Sequence, residues 1–185
     1  MQIVKTELDG VLIVEPKVFG DSRGYFFESF SQRDFEQQTG LTGVRFVQDN
    51  ESFSGKGVLR GLHFQKGASA QAKLVRVVRG AVQDVAVDLR PDSPTFGRSV
   101  SVILTGENKR SLFIPKGFAH GFLVLEEGTI FQYKCDAFYD PSAEGSVRWD
   151  DPDLAIDWAL DGIEPLLSEK DKRAPLLREC LQELR

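Results

Sequence analysis

The sequence predicts an all-β domain of the jelly-roll type, and three observations carry that expectation. From residue 10 to about residue 140, short runs rich in β-branched and aromatic residues alternate with Gly, Pro, Asp and Asn breakers, the mark of an antiparallel sandwich or barrel. Nine such runs are present, which suits a jelly roll. A helical period appears in only two short places.

Taken in order, the predicted strands cover residues 11–15, 25–30, 45–48, 58–65, 73–79, 82–89, 100–104, 121–125 and 130–138. Gly80, Pro91-Asp92-Ser93-Pro94, Gly106-Glu107-Asn108 and Glu126-Glu127-Gly128 supply turns between them. A short helix in the N-terminal half starts at a Ser31 cap, runs through Gln38 and is closed by Gly40. A C-terminal helix starts at a Ser168 cap and carries Leu176, Leu177, Cys180, Leu181 and Leu184 as one apolar stripe, expected to pack across the outside of the barrel. Residues 150–165, rich in Pro and Asp, read as an ordered surface crossing. No repeat or linker divides the chain, so residues 1–185 are expected to form a single domain.

With 41% apolar residues, the chain can build a core without disulfide or metal support. No run approaches the roughly 18 apolar residues of a membrane span, and the start resembles no signal peptide, so a cytoplasmic protein with no membrane association is expected. Cys135 and Cys180 lack metal or redox spacing and read as reduced buried thiols, while Asn50-Glu51-Ser52 is a chance glycosylation match. The net charge of −5 argues against a nucleic-acid partner and requires any bound phosphate to be held by local Arg and Lys. Gly55-Lys56-Gly57-Val58-Leu59-Arg60 begins like a dinucleotide fingerprint, but Arg60 takes the sixth position and a strand follows. Two separated histidines argue against a metal site.

Those histidines are the first candidates for chemistry. In Leu59-Arg60-Gly61-Leu62-His63-Phe64-Gln65, Leu62 and Phe64 share one strand face while His63 and Gln65 share the other. A solvent-facing histidine is the competing reading, and the pattern alone does not choose. Lys73 alternates with Val75 and Val77, and Asp84 interrupts an apolar strand; both residues seldom enter a barrel unless paired or working, although a solvated exterior fits equally. Tyr133 stands two residues after Phe131, where a core ring with a satisfied hydroxyl is the commoner outcome. His120 follows a Pro/Gly turn, which places it at the barrel rim as either a structural hydrogen-bonder or a ligand contact.

Six segments now converge: Phe19-Gly20-Asp21-Ser22-Arg23-Gly24, Val47-Gln48-Asp49-Asn50, the strand of His63, Lys73-Leu74-Val75-Arg76, Ile114-Pro115-Lys116-Gly117-Phe118-Ala119-His120-Gly121-Phe122 and Ser168-Glu169-Lys170-Asp171. From about residue 2 to residue 177, in this order, the chain resembles the dTDP-4-dehydrorhamnose 3,5-epimerase family. The resemblance implies a cupin-type jelly-roll homodimer that needs no metal or nicotinamide. Its substrate would be dTDP-4-dehydro-6-deoxy-D-glucose, on the route to dTDP-L-rhamnose and surface polysaccharide. It also implies strand exchange, with residues near Arg23 and Glu28 completing the partner's site.

By the same resemblance His63 is the base, and Asp171 fixes its tautomer, with Asp84 as a second candidate for that task. Lys73 stabilises the charge on the former ketone oxygen, an effect typically of about 3–4 kcal/mol. Tyr133 returns a proton from the opposite side. Arg23, Arg60 and Lys170 match the diphosphate. Glu28, Gln48, Asp49, Asn50, His120 and Glu144 are polar contacts to the nucleotide-sugar, and Phe19 and Tyr139 are stacking partners for the base. Strict alternation puts Arg60 and His63 on opposite faces, so Gly61 is expected to mark a bulge. The alternatives are a single-carbon epimerase, a 3,4-ketoisomerase and a non-catalytic sugar-binding jelly roll.

Overall fold

Alternating side chains sort the strands into two opposed sheets, each with one face turned toward the other. The computed structural model describes residues 1–181. The strands are β1 (Gln2–Lys5), β2 (Leu12–Glu15), β3 (Phe19–Asp21), β4 (Gly24–Phe26), β5 (Gln48–Ser54), β6 (Leu59–Gln65), β7 (Lys73–Arg79), β8 (Ala81–Asp88), β9 (Ser99–Thr105), β10 (Ser111–Ile114), β11 (Phe118–Val124), β12 (Thr129–Cys135) and β13 (Glu144–Ser146). One sheet has the order β1-β2-β10-β7-β12-β5 and the other β13-β6-β11-β8-β9, while β3 and β4 form a separate hairpin. All strand pairings in the sheets are antiparallel. The chain has the expected cupin-type jelly roll.

Between the sheets lies an apolar core that includes Val75, Val82, Leu104, Phe122 and Phe131. A second cluster covers the outside of the five-stranded sheet, where Leu62, Val85 and Leu123 meet Leu154, Trp158 and Leu177. That cover explains why every residue of β8 is buried. The crossing over residues 150–165 is tied down by the Gln83 side chain, which donates through Nε2 to the Asp157 carbonyl and accepts through Oε1 from Ala159 N, both at 2.7 Å. A third cluster under Phe35 seats α1 (Gln32–Thr39) on the six-stranded sheet. Its ends are as expected: Ser31 accepts from Asp34 N, and Gly40 closes it at φ 74°.

Several boundaries differ from the sequence reading. The predicted strand at 45–48 is replaced by β5, which runs from Gln48 to Ser54. Gln48, Asn50 and Ser52 line its less exposed side, so its inward face is polar and carries no hydrophobic alternation. Strand 25–30 ends at Phe26, and strand 130–138 ends at Cys135. The short β1, β3, β10 and β13 were not predicted. The single C-terminal helix is a further correction, because Pro175 divides it into α2 (Glu169–Lys172) and α3 (Leu177–Cys180). Ser168 does cap the first piece. Of the predicted stripe, Leu177 and Cys180 are buried, Leu181 is exposed, and Leu184 lies outside the described residues. Among the described residues no helix is long and apolar enough to cross a membrane.

Candidate active site

The site begins with an irregularity in β6. His63 pairs with His120 on β11, whereas Arg60 pairs with Phe122, so three steps along β6 oppose two along β11. The extra residue makes a bulge and reverses side-chain parity between Arg60 and His63. Both therefore line one cavity, as the bulge expected at Gly61 requires. Gly61 has φ 124°, and a Cβ there would lie 2.6 Å from Gly121 Cα and 2.8 Å from the His120 carbonyl oxygen. Only glycine fits so close an approach of two backbones.

The cavity between the sheets has two lobes of about 490 and about 350 Å³. His63, Lys73 and Tyr133 line both lobes and form their common wall. The first lobe adds Arg60, His120 and Asp171; the second adds Gln48, Asn50, Tyr139 and Glu144. His63 belongs to the five-stranded sheet, while Lys73 and Tyr133 belong to the six-stranded one. The polar face of β6 is thus the inside of the barrel, and the solvent-facing reading of His63 is excluded.

His63 Nε2 lies 2.5 Å from Asp171 Oδ1. Ser168 Oγ donates to the other Asp171 oxygen at 2.8 Å and accepts from Asp171 N at 3.1 Å, so the cap of α2 also aims the carboxylate. Burial would raise the Asp171 carboxyl, but the bond to His63, that residue's charge and the Ser168 bond hold it below the ordinary carboxylate value. An ionised Asp171 keeps the shared proton on Nε2 and leaves Nδ1 as the basic nitrogen.

Burial pulls the Lys73 ammonium below its ordinary value, opposed by Cys135, Asp84 and Glu144. Burial also pushes the Cys135 thiol up to about 11, so that group is neutral near pH 7 and the two carboxylates are what support the lysine charge. Tyr133 is raised, chiefly by burial, and keeps its phenolic proton at neutral pH.

His120 differs from expectation. It stands within β11 rather than on the rim turn and is buried. Asp84, the second candidate for orienting His63, instead binds His120: its two oxygens lie 3.1 and 2.9 Å from Nε2. The cause is register, since Asp84 on β8 faces Phe122 on β11, two residues from His120.

Around the second lobe, Tyr139 OH donates to Glu144 Oε2 at 3.1 Å, and Lys170 makes an ion pair with Glu144. Burial would raise the Glu144 carboxyl, but Lys170 and Tyr139 hold it below its ordinary value. Gln48 accepts from Tyr139 N and donates to Asn50 Oδ1, both at 3.0 Å. Arg60 Nη2 donates to Ser54 Oγ at 3.2 Å. Asp49 is placed elsewhere, on the outer face of the sheet and 2.8 Å from Lys134. Phe19 and Arg23 lie on the exposed β3–β4 hairpin and Glu28 is exposed just beyond it, none of them lining either lobe of their own chain. Sequence reasoning missed Cys135 and Phe122 as cavity walls; the alternation Phe131-Tyr133-Cys135 signals the first, and the 4.1 Å stack of Phe122 on Phe131 emerges only in three dimensions. Among the described residues no three His, Cys, Asp or Glu side chains converge as a metal site.

A basic imidazole on one wall, with a phenol and an ammonium on the other, can move protons at a carbon held between them. The sequence pattern of the dTDP-4-dehydrorhamnose 3,5-epimerase family matches residues 5–179. The dTDP-4-dehydrorhamnose 3,5-epimerase of Salmonella typhimurium is 56% identical over 181 residues, covering 98% of each chain. A solved dTDP-6-deoxy-D-glucose-3,5-epimerase from Legionella pneumophila, in complex with dTDP-4-keto-L-rhamnose, is 54% identical at TM-score 0.94, over 99% of this chain and 96% of that one. A solved 3'-monoepimerase from Streptomyces bikiniensis, in complex with dTDP-quinovose, is 37% identical at TM-score 0.89, over 98% of this chain and 90% of that one.

Proposed function

The chain belongs to the dTDP-4-dehydrorhamnose 3,5-epimerase family, and from that premise we propose that it inverts C3 and C5 of dTDP-4-dehydro-6-deoxy-D-glucose to give dTDP-4-dehydro-L-rhamnose. It is an isomerase of the dTDP-L-rhamnose route. The observation that carries the assignment is the placement of His63 and Tyr133 on opposed sheets, with Lys73 beside the phenol's strand.

The C4 ketone acidifies the hydrogens on C3 and C5, but they remain far weaker acids than imidazolium, whose pKa is roughly 6.5. His63 takes the proton on Nδ1, the C–H electron pair becomes the C=C bond of an enolate as the carbonyl π pair moves onto the ketone oxygen, and Asp171 balances the imidazolium through Nε2. Lys73 balances the oxyanion, with an effect typically of about 3–4 kcal/mol. Tyr133 then delivers its proton to the opposite face of the carbon, which inverts the centre; tyrosinate and imidazolium exchange with solvent before the next turn. Arg60 and Lys170 hold the diphosphate, and His120 holds the sugar. Gln48, Asn50, Glu144 and Tyr139 hold the nucleoside.

The active form is a homodimer, and the β3–β4 hairpin is the exchanged element. A lone hairpin is marginal in water, and Phe19, Tyr25 and Phe26 are all exposed on this one. Arg23, Phe19, Glu28 and Asp49 then serve the partner's site or the shared interface. The enzyme works in the cytoplasm, as one domain spanning residues 1–185.

Turnover in D2O, followed by NMR, tests the reaction: deuterium at both C3 and C5 is expected, label at C5 or C3 alone rejects the double epimerisation, and label at neither rejects proton abstraction. His63→Ala should abolish exchange while dTDP still binds; a sugar-binding jelly roll would show no exchange even in the wild type. Identity of 56% and 54% to double epimerases, against 37% to a monoepimerase, favours two-carbon inversion over the single-carbon reading. Mixing inactive His63→Ala and Arg23→Ala proteins should restore activity through dimers with one intact shared site, and no restoration would reject the exchange.

A further inference from the structure

Asp84 is fully buried, on a strand whose neighbours in the core are Val82, Ala86, Val102 and Phe122. Both of its oxygens converge on a single ring nitrogen, His120 Nε2. A carboxyl group in such surroundings loses its hydration, a cost that apolar residues of similar volume avoid. The fold therefore keeps a polar group here that packing does not need. What it obtains is control of one imidazole, whose ring is stacked on Phe131 with centroids 6.1 Å apart and planes 18° apart. That stack leaves little rotational freedom. One edge and one face of the ring are thus committed, while His120 still lines the cavity beside His63.

We propose that Asp84 is a positioning residue for this site: by accepting the Nε2 proton of His120 it fixes the ring tautomer and leaves Nδ1 as a preset hydrogen-bond acceptor for a hydroxyl of the sugar. The inference rests on the sugar-nucleotide reading above. Physically, an ionised carboxylate can only accept, so the nitrogen facing it carries hydrogen and the other ring nitrogen of a neutral imidazole carries a lone pair. Hydroxyls next to the reacting carbons are the groups that an acceptor at this depth would hold. A sugar seated against His120 is also seated against His63, since the two residues are register partners. The proximity of Asp84 to Lys73 offers a second route by which the carboxylate would act, through the lysine charge.

Asp84→Asn keeps the shape but offers an N–H to Nε2, which reverses the tautomer and turns the Nδ1 acceptor into a donor, as for the aspartate of a Ser-His-Asp triad. We expect kcat/KM to fall at least tenfold, with most of the change in KM, and the 15N resonances of His120 to switch from the Nε2–H to the Nδ1–H pattern. Asp84→Asn combined with His120→Asn should cost no more than the worse single change. Additive losses would overturn the inference, because they would route the effect of Asp84 through Lys73. So would unchanged kinetics in Asp84→Asn, or an Nδ1–H tautomer in the wild type, a measurement that stands even if the variant fails to fold. Absence of deuterium exchange in the wild type would instead reject the proposed reaction and is read separately.

Discussion

His63 and His120 are directly paired across β6 and β11, yet each ring is held by a different carboxylate, Asp171 for the first and Asp84 for the second. Both carboxylates meet Nε2, so the two neighbouring imidazoles in one cavity are given the same Nε2–H tautomer but separate tasks.

Asp171→Asn tests the first of these pairs. The amide keeps the shape but offers hydrogen to Nε2, so Nδ1 becomes protonated and cannot act as base. We expect kcat to fall on the order of 10³–10⁴-fold, as for the corresponding change in a Ser-His-Asp triad. Stability should respond to pH as well. The folded-state value of Asp171 is depressed, so its contribution is present above the unfolded value near 4 and is lost as the pH falls through the lower folded value. Acid titration of the melting temperature should therefore be less steep below pH 4 in the variant than in the wild type.

Lys73→Met separates function from stability. Burial lowers the lysine in the folded state, so holding it charged opposes folding at neutral pH. A methionine of similar length removes that cost. We expect kcat to fall roughly 10²–10³-fold while the melting temperature rises by about 2–4 °C, the shift for roughly 1 kcal/mol in a domain of this size. Calorimetry and steady-state kinetics on the same preparation check both.

Strand alternation outside the β6 bulge and the Ser31 and Gly40 ends of α1 were legible in the sequence because each depends on local period or capping, whereas the local pattern leaves His63, Lys73 and Tyr133 open and only the family resemblance groups them. β5 was not, since its inward residues Gln48, Asn50 and Ser52 face a polar cavity and abolish the apolar alternation on which strand recognition depends. The partner of His63 was undecided for a different reason. Asp171 lies 108 positions away, and only the wrap of the C-terminal segment around the five-stranded sheet brings it to the ring while register gives Asp84 to His120. The C-terminal helix misled because leucine spacing kept a helical period through Pro175, whose missing N–H ends the helix regardless of the stripe.

Gly61→Ala should show how the bulge serves the site. The added methyl would meet the Gly121 Cα at 2.6 Å, with backbone rather than a flexible side chain as the obstacle, at a φ of 124° that alanine rarely adopts. Strain and overpacking together should cost roughly 2–4 kcal/mol. Surviving folded protein should lose activity more than dTDP affinity, because the shift displaces His63 relative to Lys73 on the opposite sheet. Chemical denaturation and isothermal titration with dTDP read the two effects apart.

Asp151 anchors, from outside the barrel, the chain segment that follows α2. Its carboxylate is buried and accepts from Leu177 N at 2.6 Å and from Asp153 N at 2.8 Å, while Arg148 N donates to the Pro175 carbonyl at 2.9 Å. These bonds pin the segment just after α2, and α2 carries Asp171. Asp151→Ala leaves the buried Leu177 N–H without its acceptor, which should cost about 1–3 kcal/mol and lower the melting temperature by roughly 2–12 °C. Because α2 has only one turn and depends on this anchor, kcat should fall with it, whereas Asp151→Asn, which retains an oxygen acceptor, should recover most of both. A variant that lost stability but kept full kcat would mean that Ser168 alone suffices to aim Asp171.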